Sequence, residues 1–294
     1  MRIAPRIPSL PQPAARPAAA RARPQAPVAQ APVAQGQAAA VSGVKARAAA
    51  PSPAQLDGML LSPNGAFPAG TPYTEVPPTK PSNGKVADGT LIFVNGMGET
   101  PENARTQARH IADATGMNVV NIYNATEGAV KDLIQAAGDT FNLGNNKAVD
   151  SLADQVYARL MDGESVRLMS HSQGALITSR ALTDVRNRMV AEGGLTQAQA
   201  EELLSKVGVE TLGGAAPNWP DGPRYVHYVN RSDFVPTFLG VGRNVASSPG
   251  RDAEIVTFGR FNPFGGWFGG DGHNSTTYLK HYVPFGDLHG AAAQ

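Results

Sequence analysis

The sequence predicts an α/β protein in which a mostly parallel central sheet is covered by helices on both faces. Short apolar runs alternate with amphipathic stretches from residue 85 onward. The run 90–94 (TLIFV) is apolar almost throughout, which is typical of a strand buried on both faces. Because the strand patterns alternate with helical patterns, parallel pairing through helical crossovers is favoured over hairpins.

The individual elements carry recognisable boundary signals. Thr100 is a good helix cap, and Pro101 suits the first helical position after it. The stretch 146–161 has apolar residues at helical spacing and ends at Asp162-Gly163. We predict strands at 90–94, 118–123, 165–169, 207–212, 224–229 and 254–258, and helices at 101–115, 146–161, 173–190 and 197–204.

The N-terminal part of the chain differs from the rest in composition. Seven of the 25 basic side chains and none of the 24 acidic ones precede Asp57. Ala, Pro and Gln dominate there, and Ala-Pro-Val-Ala-Gln occurs twice in tandem from residue 26. Such a segment cannot bury enough apolar surface to offset the entropy of ordering it. We predict a disordered leader at 1–57, a Pro-rich extended linker at 58–84 and a folded domain at 85–294.

Several kinds of protein are excluded or disfavoured by composition. The chain has no cysteine, which excludes disulfides, thiolate metal sites and cysteine nucleophiles. We find neither the ~20 apolar residues of a membrane-spanning helix nor the apolar core of a classical secretory signal. Seven scattered positive charges without aromatic residues are weak support for nucleic-acid binding. We expect a soluble protein with no transmembrane segment and no nucleic-acid partner. Its location is unknown, and export by a route without a classical signal peptide stays open.

The segment Ser170-His171-Ser172-Gln173-Gly174 lies between a predicted strand and a predicted helix. A strand, a sharp turn of small residues and a helix form the setting of a nucleophile elbow, in which a serine hydroxyl projects from the sheet. Ser170 and Gly174 are small enough for strand and helix to pass closely. The simpler alternative is an ordinary turn in which Ser172 caps the helix.

This segment resembles the α/β-hydrolase family, and in particular bacterial and class 3 type lipases, whose pattern is Gly-x-Ser-x-Gly. Ser170 stands where the family has its first Gly. The resemblance implies an α/β-hydrolase fold for 85–294, with Ser172 as the nucleophile. It also implies that Asn95-Gly96-Met97-Gly98, after the first predicted strand, supplies part of an oxyanion hole. The backbone N–H groups of Met97 and Gln173 would then be its two donors.

Two further segments resemble the family in the order Ser, acid, His. The stretch Asn230-Arg-Ser-Asp233-Phe-Val-Pro236 resembles the segment that carries the acid in class 3 type lipases, which implies that Asp233 orients the histidine. His273 follows the last predicted strand, within a Gly-rich loop, and is the expected base. His281 is the competing candidate, because it lies only eight residues further along.

A loop rich in glycine and aromatic residues precedes His273. Its side chains Phe264, Trp267 and Phe268 are candidates for a mobile lid or for a wall that binds an acyl group. The alternative is an irregular loop whose aromatic rings fill the core.

The resemblance implies a serine esterase or lipase that works through an acyl-enzyme intermediate and needs neither a metal nor an organic cofactor. We expect a small-molecule or lipid acyl substrate, with transient contact with a membrane surface as a further option. An acyltransferase, a thioesterase or amidase with the same residues, and a catalytically silent binding protein of this fold remain alternatives, because a fold does not fix a function.

Overall fold

The computed structural model describes residues 51–84, 89–126, 146–242, 247–261 and 271–289. The predicted leader lies outside the described residues, except for residues 51–57. The same is true of the predicted aromatic loop side chains Phe264, Trp267 and Phe268. Within the described ranges no helix combines the length and the apolar character that crossing a membrane requires.

The centre of the fold is an eight-stranded sheet in the order β2-β1-β4-β3-β5-β6-β7-β8. The strands from β3 to β8 are parallel, while β1 pairs antiparallel with β4 and β2 pairs antiparallel with β1. The prediction of a mostly parallel sheet is therefore confirmed. The strands are β1 Leu60–Ser62, β2 Gly65–Phe67, β3 Thr90–Val94, β4 Asn118–Ile122, β5 Val166–His171, β6 Val207–Leu212, β7 Arg224–Asn230 and β8 Glu254–Phe258.

Helices cover both faces of the sheet, as predicted. They are α1 Pro53–Leu56, α2 Pro101–Thr115, α3 Lys147–Met161, α4 Gln173–Ala191, α5 Gln197–Leu204, α6 Ser275–Leu279 and α7 Phe285–His289. Short 3₁₀ turns lie at Tyr73–Glu75 and Asp271–His273, and a π-helical turn spans Val235–Leu239. The predicted cap of α2 is present, because the Thr100 hydroxyl oxygen accepts the Asn103 N–H at 3.1 Å.

The two faces of β3 show why this strand is apolar almost throughout. Ile92 and Val94 pack in the cluster that contains α3, α4 and α5, and Leu91 and Phe93 pack in the cluster that contains α2, α6 and α7. A strand buried on both sides has no alternation of polar and apolar residues, so its sequence is a continuous apolar run.

The connections around β3 determine where a site is expected. The chain goes from β3 to β4 on one side and then crosses to β5 on the other side of β3. In open parallel sheets, ligands bind in the crevice at the carboxyl ends of the strands where this reversal occurs. The crevice in this protein lies between the residues that follow Val94 and those that follow His171.

The prediction of an extended linker at 58–84 is wrong for its first part. Strands β1 and β2 belong to the sheet, with Leu60 paired to Ile122 of β4. Leu60 and Leu61 are both buried, one on each side of the sheet, and Leu56 just before them is buried too. The folded unit therefore begins well before residue 85. Its first strands are only three residues long and lie among prolines, which concealed them in the sequence.

Candidate active site

Ser172 occupies the turn between β5 and α4, with φ 55° and ψ −124°. A positive φ is rare for a residue with a side chain and costs on the order of 1–3 kcal/mol. Main-chain hydrogen bonds hold the turn in place. The Ser172 N–H donates to Leu212 O at 3.2 Å, and Ser172 O accepts the N–H groups of Ala175 and Ala215. The sheet and the loop after β6 therefore fix the backbone that presents the hydroxyl.

Gly174 allows the start of α4 to lie directly against the end of β3. A Cβ atom at this position would collide with the main-chain oxygen of Val94 and would lie 2.8 Å from that of Asn95. Both are backbone atoms, which cannot swing away as a flexible side chain would. The close approach that the small residue predicted is therefore present, and it brings the Ser172 turn next to the loop after β3.

Three side chains distant in sequence form one hydrogen-bonded chain at this turn. His273 Nε2 lies 2.8 Å from Ser172 Oγ, and His273 Nδ1 lies 2.6 Å from Asp233 Oδ2. A carboxylate can only accept, so Nδ1 carries the proton and Nε2 of the neutral ring is free to accept the Ser172 hydroxyl proton. Ser172 and Asp233 are 3% and 2% exposed, and the His273 side chain is 17% exposed.

Asp233 receives further hydrogen bonds that orient its carboxylate. The Val235 N–H donates to Oδ1 at 2.9 Å, and the Tyr278 hydroxyl donates to Oδ2, the oxygen that also accepts from His273. Burial, and then the negative charge of Asp233, raise the pKa of Tyr278, so the phenol keeps its proton and remains a donor. Each carboxylate oxygen thus has at least one fixed donor.

Tyr278 was not predicted from the sequence. Its ring is fully buried and lies beneath Gly213, which has φ +59°. A Cβ at Gly213 would lie 2.7 Å from the Tyr278 hydroxyl oxygen. A glycine that is both left-handed and close to an aromatic ring shows that the loop after β6 is shaped around this tyrosine.

His171, the residue before Ser172, was also not assigned a role from the sequence. Its Nε2 lies 2.8 Å from the main-chain oxygen of His273, and the two imidazole centroids are 5.0 Å apart. Since a carbonyl oxygen only accepts, Nε2 must be the protonated nitrogen. Burial, and next the proximity of His273, lower the pKa of His171 to about 3, so the ring is neutral.

The residues on either side of His273 are anchored as well. The Asn230 side-chain amide donates to Gly272 O at 3.1 Å, from the end of β7. The Asn274 side-chain oxygen caps α6 by accepting the Thr276 N–H at 3.0 Å. Together with the His171 contact, three consecutive residues around the imidazole are each held by a separate hydrogen bond.

The loop after β3 lies over the Ser172 turn. A Cβ at Gly96 would be 3.0 Å from Ser172 Cβ, and Met97 lines the same cleft as Ser172 and His273. Gln173 is the first residue of α4, so its N–H is outside the helical hydrogen-bond ladder. The two residues proposed as oxyanion donors therefore both lie beside Ser172.

A network of buried amides fixes that loop. Asn95 Nδ2 donates to Asn124 O at 2.8 Å, while Asn95 Oδ1 accepts the Asn124 N–H at 3.0 Å. The Asn124 side chain in turn donates to Gln173 Oε1 at 2.8 Å. These bonds join the ends of β3 and β4 to the first residue of α4, so the loop and the turn are held in one frame.

His281, the competing candidate for the base, lies elsewhere. Its ring stacks on Phe258 of β8, with the centroids 3.9 Å apart, and the residue is exposed. The structure brings His273, and not His281, to Ser172.

A cleft of about 470 Å³ opens at Ser172 and His273. One wall is α2, and the other is formed by the residues from His273 to Thr276. Among the described residues there is no group of three or more His, Asp or Glu side chains arranged to hold a metal ion. The Ser172 hydroxyl and the His273 imidazole both line this cleft.

Comparison of the chain with protein-family models and with curated proteins finds no match in either case.

Proposed function

We propose that the protein is a serine hydrolase of the α/β-hydrolase type that cleaves carboxylic esters through an acyl-enzyme intermediate. The observation that carries the proposal is the continuous hydrogen-bonded chain from Ser172 Oγ through His273 to Asp233. A nucleophile, a base within hydrogen-bond distance and a group that orients the base are the three parts that such catalysis requires.

In the first half of the reaction, Ser172 Oγ attacks the ester carbonyl carbon while its proton moves to His273 Nε2. The new Oγ–C bond gives a tetrahedral intermediate. The imidazolium then returns this proton to the leaving alkoxide as the C–O bond to the alcohol breaks. Asp233 remains a carboxylate throughout and stabilises the positive charge on His273. The hydrogen bonds that Asp233 accepts from the Val235 N–H and the Tyr278 hydroxyl keep its carboxylate correctly oriented.

The negative charge on the carbonyl oxygen needs donors that are in place before the reaction. We assign this role to the N–H groups of Met97 and Gln173. Support comes from the proximity of Gly96 to Ser172 and from the amide network that fixes the loop after β3. The positive end of the α4 dipole lies at the same point. One such donor is typically worth about 10²–10³ in rate.

In the second half, water takes the place of the alcohol. His273 accepts a proton from the water molecule as the water oxygen attacks the acyl carbon. The imidazolium then protonates Ser172 Oγ as the acyl group leaves. The same residues would perform the first half on a thioester or an amide, or pass the acyl group to a second alcohol. The shape of the cleft, and not the hydrogen-bonded chain of Ser172, His273 and Asp233, decides which of these reactions occurs.

Hydrolysis of p-nitrophenyl acetate by the full-length chain tests the proposal. We expect turnover above the background rate, and we expect Ser172→Ala to reduce it to background while the circular dichroism spectrum is unchanged. Ser205→Ala is the matched control, since it removes the same atom from the exposed residue that directly follows α5. Equal turnover by wild type and Ser172→Ala would exclude Ser172 as the nucleophile.

A further inference from the structure

Asn124 lies just after β4 and is fully buried, and its hydrogen bonds connect two other parts of the fold. Its main-chain oxygen accepts from Asn95 Nδ2 at 2.8 Å, and its main-chain N–H donates to Asn95 Oδ1 at 3.0 Å. Its side-chain Nδ2 donates to Gln173 Oε1 at 2.8 Å. Asn95 begins the loop after β3, and Gln173 begins α4. Asn124 therefore contacts both segments to which we assign the oxyanion donors.

Thr126 extends these contacts to the far end of the loop after β3. The Asn124 side-chain oxygen accepts the Thr126 N–H at 3.1 Å and the Thr126 hydroxyl at 2.6 Å. The Thr126 main-chain oxygen in turn accepts the Gly98 N–H at 2.9 Å. The loop is thus held at Asn95 by Asn124 directly and at Gly98 through Thr126. Met97, whose N–H is one assigned donor, lies between these two fixed points.

The hydrogen-bond partners fix the orientation of the Asn124 amide. The Thr126 main-chain N–H can only donate, so the side-chain atom that faces it is the oxygen Oδ1, and Nδ2 faces Gln173. The Asn124 main-chain N–H fixes the Asn95 amide in the same way. A network with one arrangement holds its neighbours in place before a reaction begins, as the stabilisation of a developing charge requires.

A buried amide with several partners also stabilises a fold, so a purely structural role is the alternative. The partners of Asn124 favour a role in the site, because they lie in the two segments that meet at the Ser172 turn. These segments are in close contact. An added Cβ at Gly96 would lie 3.0 Å from Ser172 Cβ, and one at Gly174 would lie 2.8 Å from Asn95 O. A shift of either segment would therefore change the position of its N–H group relative to Ser172.

We propose that Asn124 is the positioning residue of the oxyanion site and sets the separation of the Met97 and Gln173 N–H groups. This inference rests on the proposed function and deepens it. Asn124 is 0% exposed, so it acts through Asn95, Thr126 and Gln173 and does not touch the substrate. A misplacement of about 1 Å can cost about 10² in rate, and one oxyanion donor is worth about 10²–10³.

The test compares p-nitrophenyl acetate with p-nitrophenyl thionoacetate, in which sulfur replaces the carbonyl oxygen. Sulfur is a weak hydrogen-bond acceptor, so the thionoester gains little from oxyanion donors. Release of p-nitrophenolate with enzyme in excess gives the rate for both substrates. We expect Asn124→Leu to lower kcat/KM for the ester by about 10–100-fold and to lower the ratio of ester to thionoester kcat/KM by about tenfold relative to wild type.

Two comparison variants separate positioning of the oxyanion donors from other losses. His171→Leu removes a hydrogen bond on the imidazole side of the site, so it should slow both substrates alike and leave the ratio unchanged. Asn64→Leu makes the same substitution as Asn124→Leu in the exposed turn between β1 and β2, and it should leave both rates at the wild-type value.

Thr126→Val decides the test if Asn124→Leu does not fold. It removes the hydroxyl that donates to Asn124 but keeps the main-chain bonds to Asn124 and Gly98, and it should lower the ratio several-fold. In the deciding variant, a wild-type ratio or an equal loss with both substrates would overturn the inference and leave the ester hydrolase proposal intact. Absence of Ser172-dependent hydrolysis of the ester by the wild-type protein would instead overturn the proposed function, and this inference with it.

Discussion

His171 Nε2 lies 2.8 Å from the main-chain oxygen of His273, so the residue before Ser172 holds the segment whose imidazole faces Ser172. The hydroxyl and the imidazole are 101 positions apart in the chain. The hydrogen bond between the two segments that carry these groups keeps the distance between the hydroxyl and the imidazole constant, since a movement of one segment carries the other with it. Such fixed positioning matters because a displacement of about 1 Å can cost about 10² in rate.

We predict that His171→Leu lowers kcat for p-nitrophenyl acetate by about 10–100-fold with little change in KM. The variant removes the donor to His273 O but keeps an apolar side chain of similar volume in the buried position. His171→Gln is the matched variant, because its side-chain N–H can reach the same oxygen. Recovery of most of the activity in the Gln variant would identify positioning as the cause. Equal activity in the Leu variant and wild type would exclude it.

The two candidate bases predict opposite behaviour in a pair of alanine variants. On the proposed mechanism, His273→Ala lowers kcat by about 10⁴-fold or more, since the oxyanion donors supply only the remaining catalysis. His281→Ala removes a ring that stacks on Phe258 and should change kcat by less than about tenfold. Steady-state kinetics of both variants makes the comparison. A larger loss in His281→Ala would reassign the base.

Tyr278→Phe tests whether the third donor to Asp233 matters. Removing the hydroxyl leaves Asp233 Oδ2 with His273 as its remaining described donor, so we expect a loss of about 1–3 kcal/mol in the free energy of unfolding and about a tenfold fall in kcat. Tyr228→Phe is the control, because its hydroxyl donates to Val283 O, away from the cleft. Urea unfolding and kinetics of both variants separate the outcomes. If kcat falls equally in Tyr278→Phe and Tyr228→Phe, the fall in Tyr278→Phe reflects a general loss of stability and not the lost hydrogen bond to Asp233.

Glu210 gives the protein a predictable pH dependence of stability. This carboxyl group is buried beside Arg167, 2.8 Å away, whose guanidinium stacks on Phe285. Burial raises the pKa of Glu210 from 4.5 to about 7, although Arg167 opposes the shift. Between these values the folded state holds a proton that the unfolded state has lost. The free energy of unfolding due to this group therefore falls as pH rises from about 4.5 to about 7.

The Glu210→Gln variant isolates this effect because it has nothing to titrate. We predict that the stability of wild type relative to the variant decreases by about 1–3 kcal/mol over that pH range, measured by urea unfolding. A difference that stays flat, or that grows as pH rises, would contradict the assignment.

Much of the sheet could be predicted from the sequence, for a physical reason. Strands buried on both faces, such as Thr90–Val94, are nearly continuous apolar runs between polar turns and leave a clear pattern. The strands Leu60–Ser62 and Gly65–Phe67 left none, because each has only three residues and they join the sheet through the pairing of Leu60–Ser62 with Asn118–Ile122, far along the chain. Local composition, rich in proline, pointed to a linker instead.

The candidate site was predictable to a different degree. Ser172 stands in a local pattern, and Gly174 is required by a close approach that the pattern implies. Asp233 and His273 were inferred from a family resemblance and its residue order, and not from spacing. His171 and Tyr278 act through contacts with His273 and Asp233 that connect distant parts of the chain. No periodicity or short motif encodes such contacts, so only the folded arrangement reveals them.

The central claim, that Ser172 is a nucleophile activated by His273, is tested most directly by reaction with a fluorophosphonate and mass spectrometry of the product. We predict one adduct per chain, located by peptide mapping to Ser172. It should be absent in Ser172→Ala and should form far more slowly in His273→Ala. No adduct on the folded wild-type protein, or an adduct that persists unchanged in Ser172→Ala, would contradict the claim.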